Sequence, residues 1–431
     1  MAITGVIPKD TLALQNIFSS LRARNYRLFF TGQGISLIGT WMQNIALNWL
    51  VYRLTGSVFL LGFIAFCTEI PNFVLAPFTG VLTDRFNRLR LMILAQCFFL
   101  LQALTMALLV LFNLIAVWHI ITLSILFGII SAFEAPARQS LVVDLIDKTE
   151  DLGNAIALNS ALYNGARLIG PAIAGIAIAL VGEGVCFLIN TASFMAVIIA
   201  LLRISIPAKP HVSKAENLRK SFTEGLQYTF HSVPIRTLLL ILAAVSLAGL
   251  PFIVLLPAYA KEILHGGSDM LGFLMSALGA GALLGAIYLA GRKSVLGLGK
   301  IISVFTIALG VAIIAASFSD TRLLSLVFFF VAGLSMILVI AAINTMLHAL
   351  TDEDKRGRVM SFYAMALIGT VPIGNLLAGS IASTIGIPYT LMAGGIITIL
   401  AGIWFEFHRK GLRKHVHPIY VSKGIMKAIQ E

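Results

Sequence analysis

Charge is the scarcest commodity in this sequence. Only 12% of its 431 residues are Asp, Glu, Lys or Arg, against about 25% in an ordinary soluble domain. Cysteine is scarce too. Cys67, Cys97 and Cys186 are odd in number, have no C-x-x-C spacing and sit in apolar runs, which excludes a disulfide framework and a zinc site. The chain has no glycine loop ending in Lys-Ser/Thr, no His/Cys/Asp cluster at metal-ligand spacing and no polar stretch long enough for a catalytic domain. Nucleotide-driven chemistry, a bound metal or cofactor, and enzymatic function are therefore not expected.

What fills the chain is apolar sequence: 58% hydrophobic residues and a mean hydropathy of +0.94. No aqueous core needs that much, so lipid is the solvent for most of it. The net charge of +12 would suggest nucleic-acid binding in a soluble protein. Here the basic residues are dispersed in short intervals between apolar runs, so we expect a membrane lipid partner and no nucleic acid. No removable signal peptide is expected at the N-terminus, where no continuous apolar run precedes a small-residue cleavage site. Instead Leu14, Ile17, Phe18 and Leu21 recur at helical spacing beside Arg22, Arg24 and Arg27, predicting an amphipathic surface helix.

A membrane span needs about 20 apolar residues. That rule gives twelve candidates, near 28–52, 58–81, 91–112, 115–135, 155–181, 184–204, 236–260, 270–291, 300–318, 323–346, 360–384 and 388–407. With the N-terminus inside, cytoplasmic segments hold 27 of the 31 Lys and Arg, while the outer loops hold only Arg53, Lys261 and Arg322. That asymmetry predicts both termini on the cytoplasmic side.

The two halves repeat. A shift of 204 residues lays Gly153, Gly165, Gly170, Gly175 and Gly182 onto Gly357, Gly369, Gly374, Gly379 and Gly386. The expected organisation is an N-terminal six-helix bundle over 1–204 and a cytoplasmic loop over 205–235. A second bundle over 236–408 and a basic tail over 409–431 follow. Parallel repeats of this kind are the basis of two-bundle transporters.

Between spans 2 and 3 stands Gly80-Val-Leu-Thr-Asp84-Arg85-Phe-Asn87-Arg88-Leu-Arg90. Gly80, Asp84, Arg85 and Arg88 resemble the signature of the major facilitator superfamily, with a departure at Leu89. Gly165, Gly170, Pro171 and Gly175 in span 5 resemble the glycine-proline motif of its proton-coupled antiporters. The basic residue that many drug antiporters carry in span 4 has no counterpart here. Asn25-Tyr26-Arg27-Leu28-Phe29, Gly39-Thr40-Trp41-Met42-Gln43 and Pro136-Ala137-Arg138-Gln139 are similar to the subfamily of the enterobactin exporter and macrolide efflux proteins. The resemblance implies an all-α major facilitator fold in a bacterial cytoplasmic membrane, as a monomer. It also implies proton-driven export of a bulky amphiphilic siderophore or drug. Proton-coupled import of a siderophore or small solute is the alternative.

Few ionisable residues lie within the spans. Glu69 is eleven residues from Gly80, roughly 16 Å deep at 1.5 Å per residue. A carboxylate there is strongly disfavoured by desolvation, which suits a group that takes up and releases a proton. The competing structural role is a permanent pair with Arg167, itself near the middle of span 5. Arg167 cannot carry the proton, but it is suited to hold Glu69 ionised or to bind an anionic substrate. Gln43, Asn44, Asn48 and Asn164 are candidates for a polar substrate path, or for interhelical amide contacts. Phenylalanines such as Phe252 and Phe329 suit either an apolar cavity wall or packing. At the cytoplasmic end of span 4, Glu134 is expected to pair with Arg85 or Arg88. Asp84 is expected to face the start of span 11 near Gly357 and latch the inner gate.

Overall fold

The computed structural model describes residues 19–146, 149–205, 226–292, 294–353 and 355–423. The amphipathic segment expected before Ser19 and most of the central loop lie outside these residues. Among the described residues the chain is helical throughout. In order the helices are α1 (Arg24–Thr55), α2 (Val58–Arg85), α3 (Arg88–Leu111) and α4 (Val117–Asp144). Next come α5 and α6, fused over Leu152–Leu202, and α7 (Val233–Ile263). The chain ends with α8 (Ser268–Ala290), α9 (Leu298–Ser317), α10 (Arg322–Leu350), α11 (Arg356–Ile385) and α12 (Ile387–Ser422).

The 51-residue segment Leu152–Leu202 would be about 75 Å long as one straight helix, far beyond a hydrocarbon core of about 30 Å. It bends back at Gly182, whose φ of 81° and ψ of 170° leave helical space. Gly386, between α11 and α12, has φ 88° and ψ 163°. Only glycine adopts this region without strain, and the two positions are 204 residues apart. The repeat seen in the glycine spacing is thus a repeat of backbone conformation. Among the described residues ten segments are long and apolar enough to cross a membrane. Counting Leu152–Leu202 twice and adding the more polar α1 gives twelve spans. Apolar side chains cover the outer surface, as at Leu180 and Phe407, each 78% exposed, which fits a lipid-facing perimeter.

Most spans agree with the expected ranges, but two ends differ. The polar stretch after α2 is not an eleven-residue turn, because helix continues through Gly80 to Arg85 and only Phe86 and Asn87 separate α2 from α3. Asn87 Oδ1 accepts the Arg90 amide at 3.0 Å, capping α3. The C-terminal basic stretch likewise continues α12 as helix to Ser422. Lys423 Nζ then donates to the carbonyls of Thr351 and Ala349 at 2.7 and 3.2 Å.

Both bundles hold stacked phenylalanines, Phe99 with Phe194 at 5.4 Å in the N-terminal one, but they differ in their buried polar groups. In the N-terminal one, Gln43 donates to Gln102 at 3.0 Å and accepts from Asn190 at 2.7 Å, and Ser193 donates to Asn190 at 2.8 Å. In the C-terminal one, Phe252 and Phe329 stack at 5.7 Å and Tyr259 meets Phe329 edge-on at 5.4 Å. The Tyr259 hydroxyl is bonded among the carbonyls of Ala316 and Ser319 and the Ser325 hydroxyl.

Candidate functional site

The bundles meet along two seams, α2 with α11 and α5 with α8. In each, glycines let the backbones touch. A Cβ on Gly62 would lie 2.9 Å from the Gly379 Cα, and one on Gly175 would lie 2.8 Å from the Gly272 Cα. Gly175 and Gly379 are repeat mates, so the seams are two copies of one contact. The partner of Gly170 is α1 at Trp41, and the partner of its mate Gly374 is α7 at Leu247 and Pro251. These are again equivalent helices. Pro171 lacks the N–H that would bond the Arg167 carbonyl one turn back. That carbonyl lies 3.0 Å from where a Cβ on Gly279 of α8 would stand. The span-5 motif therefore brings α5 close to α1 and α8, although Gly165 has no heavy atom within 4 Å of a built Cβ.

Polar contacts add to the seams at the outer ends. Tyr52 of α1 donates a short hydrogen bond to Glu262 at the end of α7, and Lys261 Nζ stands 5.7 Å above the Tyr52 ring. Ser268 Oγ donates to the Gly175 carbonyl at 3.2 Å. At the cytoplasmic ends, Gly153 and Gly357 have no described atom within 4 Å of a built Cβ. The outer side is closed by direct contacts between the bundles, and the inner end of α5 is bonded within its own bundle, where Ser20 Oγ donates to Asn154 Oδ1 at 2.7 Å and the Tyr26 hydroxyl donates to the Ala155 carbonyl at 2.8 Å.

Glu69 lies on the α2–α11 seam. Gly62, Glu69 and Phe73 are seven and eleven residues apart and share one helix face. The first touches Gly379 and the last touches Gly369, so Glu69 is held between two contacts with α11, near the middle of its helix. It is half-buried, and its carboxyl makes no hydrogen bond or ion pair among the described residues. The alternative of a permanent pair with Arg167 is not formed. Arg167 occupies the other seam. Its guanidinium lies 5.7 Å from the Trp41 ring centroid, and Nη2 reaches Met336 Sδ of α10 at 3.9 Å.

The remaining candidates separate. Asn44 and Asn48 are half-buried on one face of α1 with Trp41. Asn164 is half-buried and donates to the Ser160 carbonyl of its own helix at 2.8 Å. Gln43 is 2% exposed and spends its amide on α3 and α6, so it serves the bundle interior and not a path. Phe252 and Phe329 are core, not cavity wall. Glu134 pairs with Arg138 one turn along α4 at 3.0 Å, and Arg88 pairs with Asp144 at 2.8 Å. The expected bond between Glu134 and Arg88 is thus replaced: Arg138 lies one turn away on the same helix, and Arg88 at the start of α3 finds the acid ending α4. The side chains of Gly80, Asp84 and Arg85, and with them the latch expected near Gly357, lie outside the described residues. Trp41, Met336, Tyr52 and Glu262 were not singled out in the sequence. Trp41 was within reach of it, because it shares a face with Asn44 and Asn48.

Two sizeable cavities lie away from these groups. One of about 720 Å³ opens at the cytoplasmic ends of α7, α9 and α12. One of about 550 Å³ lies between α3 and α4. Among the described residues no His, Cys, Asp and Glu cluster to hold a metal.

A family model described as transmembrane secretion effector matches residues 15–417. The chain belongs to that family. It is a major facilitator carrier of small molecules and not an enzyme. Among relatives of this secretion effector, the staphyloferrin A transporter of Staphylococcus aureus is 27% identical over 399 residues, covering 90% of this chain and 97% of that protein. The multidrug efflux pump Tap of Mycolicibacterium fortuitum is 26% identical, covering 86% and 91%. The crystal structure of a bacterial homologue of the human lysosomal transporter Spinster superposes with a TM-score of 0.67 at 14% identity, over 89% of this chain and 96% of that one. That likeness is one of fold.

Proposed function

We propose that this secretion effector exports a bulky amphiphilic small molecule, a siderophore or drug-like metabolite, from a bacterial cytoplasm in exchange for protons. It works as a monomer in the cytoplasmic membrane. The observation that carries the reading is the place of Glu69: a carboxyl without a partner among the described residues, inside the membrane, on a seam along which two bundles must rock. An ionised carboxylate on that seam has to stay hydrated, which favours the arrangement that opens its surroundings to water. The neutral acid tolerates desolvation and lets the seam close around it. Proton uptake on one side and release on the other then bias a two-state element, as alternating access requires. Arg167, Asn44, Asn48 and Asn164 supply polar contacts for the cargo. A relative named as a multidrug efflux pump supports the direction, and one named as a staphyloferrin A transporter supports the cargo class. Arg88 with Asp144 and Glu134 with Arg138 hold the inner ends of α3 and α4 rigid during the movement.

The test is uptake of an amphiphilic dye such as ethidium into inverted vesicles, or its efflux from right-side-out proteoliposomes, with an imposed proton gradient. The reading expects transport that rises with the gradient and stops when an ionophore collapses it. Transport that ignores the gradient would refute proton exchange.

A further inference from the structure

We infer that Arg167 is a binding site for an oxyanion of the cargo, so that the preferred substrates are carboxylate-bearing amphiphiles. This rests on the secretion reading only for the identity of the site as a cargo path. Whether protons drive the cycle is a separate matter.

Four other arginines each have a carboxylate of their own. Arg53 has Glu183 at 2.7 Å, Arg88 has Asp144 at 2.8 Å, Arg138 has Glu134 at 3.0 Å and Arg409 has Glu406 at 2.6 Å. Each stands nearer a membrane surface than Arg167 does, and each is neutralised by a carboxylate. Arg167 is in the middle of α5, where a bare cation is most costly, and it has no carboxylate among the described residues. Its surroundings are the Trp41 ring and the Met336 sulfur. An aromatic face attracts a cation but leaves the donor edge of the guanidinium unspent. A thioether sulfur at 3.9 Å is a weak acceptor.

The contrast with Arg138 is the sharpest. Arg138 lies 5.9 Å from the ring centroid of Tyr163, and Tyr163 meets Trp41 edge-on at 6.4 Å. Both arginines thus flank one aromatic pair, yet only Arg138 carries its own acid. The side chain of Arg167 also touches both bundles, since Trp41 belongs to α1 and Met336 to α10. A cargo oxyanion seated on its fork would contact the carrier where the two halves approach each other. Arg is the side chain suited to it, because the planar fork matches a carboxylate with two parallel bonds. Trp41 would then lie beside the apolar part of the same molecule, with the amides of Asn44 and Asn48 one and two turns along its face.

A matched pair of probes tests this: dansyl-phenylalanine, which carries a carboxylate, and its methyl ester, which does not. Binding of each to the full-length carrier in nanodiscs is read from dansyl emission without any proton gradient. The wild type should bind the acid about tenfold more tightly than the ester, the scale of a charge-assisted bond pair. Arg167→Gln should bring the two within about twofold, and Arg167→Lys should keep part of the preference. An Arg167→Gln carrier that retains the preference, or a wild type that binds both probes alike, overturns the inference. Gradient-driven ethidium efflux by the same proteins scores the proton-exchange reading separately.

Discussion

The two bundles are copies in backbone and differ in where they place buried polar groups. Gly182 and Gly386 turn the chain in the same rare conformation, and Gly175 and Gly379 form the same seam twice. Onto this shared frame the N-terminal bundle places amides, Glu69 and Arg167, and the C-terminal bundle places stacked aromatics around Tyr259. The lesson is a division of labour. What must move is built symmetrically, so that both seams open and close with the same geometry. In the function we propose, recognition of a proton and a cargo is needed once, and the N-terminal half supplies the polar groups for it.

The comparison can be broken most forcefully at the interiors. Phe329→Ala, which empties the aromatic stack of the C-terminal bundle, should cost about 3–5 kcal/mol of stability. Gln43→Leu orphans the amides of Gln102 and Asn190, and should cost about 1–3 kcal/mol. Denaturation midpoints of the purified proteins in micelles compare the two. Equal losses would mean that the bundle interiors are more alike than their side chains suggest.

The seams offer a test of symmetry itself. Gly175→Val and Gly379→Val each push a branched side chain into a facing glycine backbone, and each should slow transport about tenfold or more while leaving folded protein. Initial rates per folded carrier in proteoliposomes measure it. A large effect at one seam and none at the other would deny that the two open together. The smallest effect is expected at the surface. Arg409→Ala removes a pair whose side chains are 35% and 38% exposed, and should shift stability by about 0–1 kcal/mol.

Much of this was legible beforehand, for identifiable reasons. Span count and topology follow from apolar run length and from where Lys and Arg fall. The glycine register announced the repeat, but not that Gly175 and Gly379 would line the seams against Gly272 and Gly62, because their partners lie on helices outside the series. Glu69 and Arg167 stood out because charge within a span is rare. Their pairing was not readable. Each sits at a helix midpoint, and depth alone does not say that one faces α11 and the other α8. The inner ion pairs were misassigned for a related reason. Opposite charges on neighbouring loops suggested Glu134 with Arg88, yet one helical turn gave Glu134 a nearer partner in Arg138. Gln43 looked like its neighbour Asn44, but adjacent residues point about 100° apart on a helix, one into the bundle and one out of it.

The central claim is that Glu69 carries the proton across the α2–α11 seam, and one comparison of two transport modes addresses it. Glu69→Gln cannot ionise, so gradient-driven efflux of ethidium from proteoliposomes should fall to background. Exchange of labelled for unlabelled ethidium at equilibrium, which needs only movement of the loaded carrier, should continue at a rate comparable with wild type. Gradient-driven efflux persisting at the wild-type rate in Glu69→Gln would contradict the account.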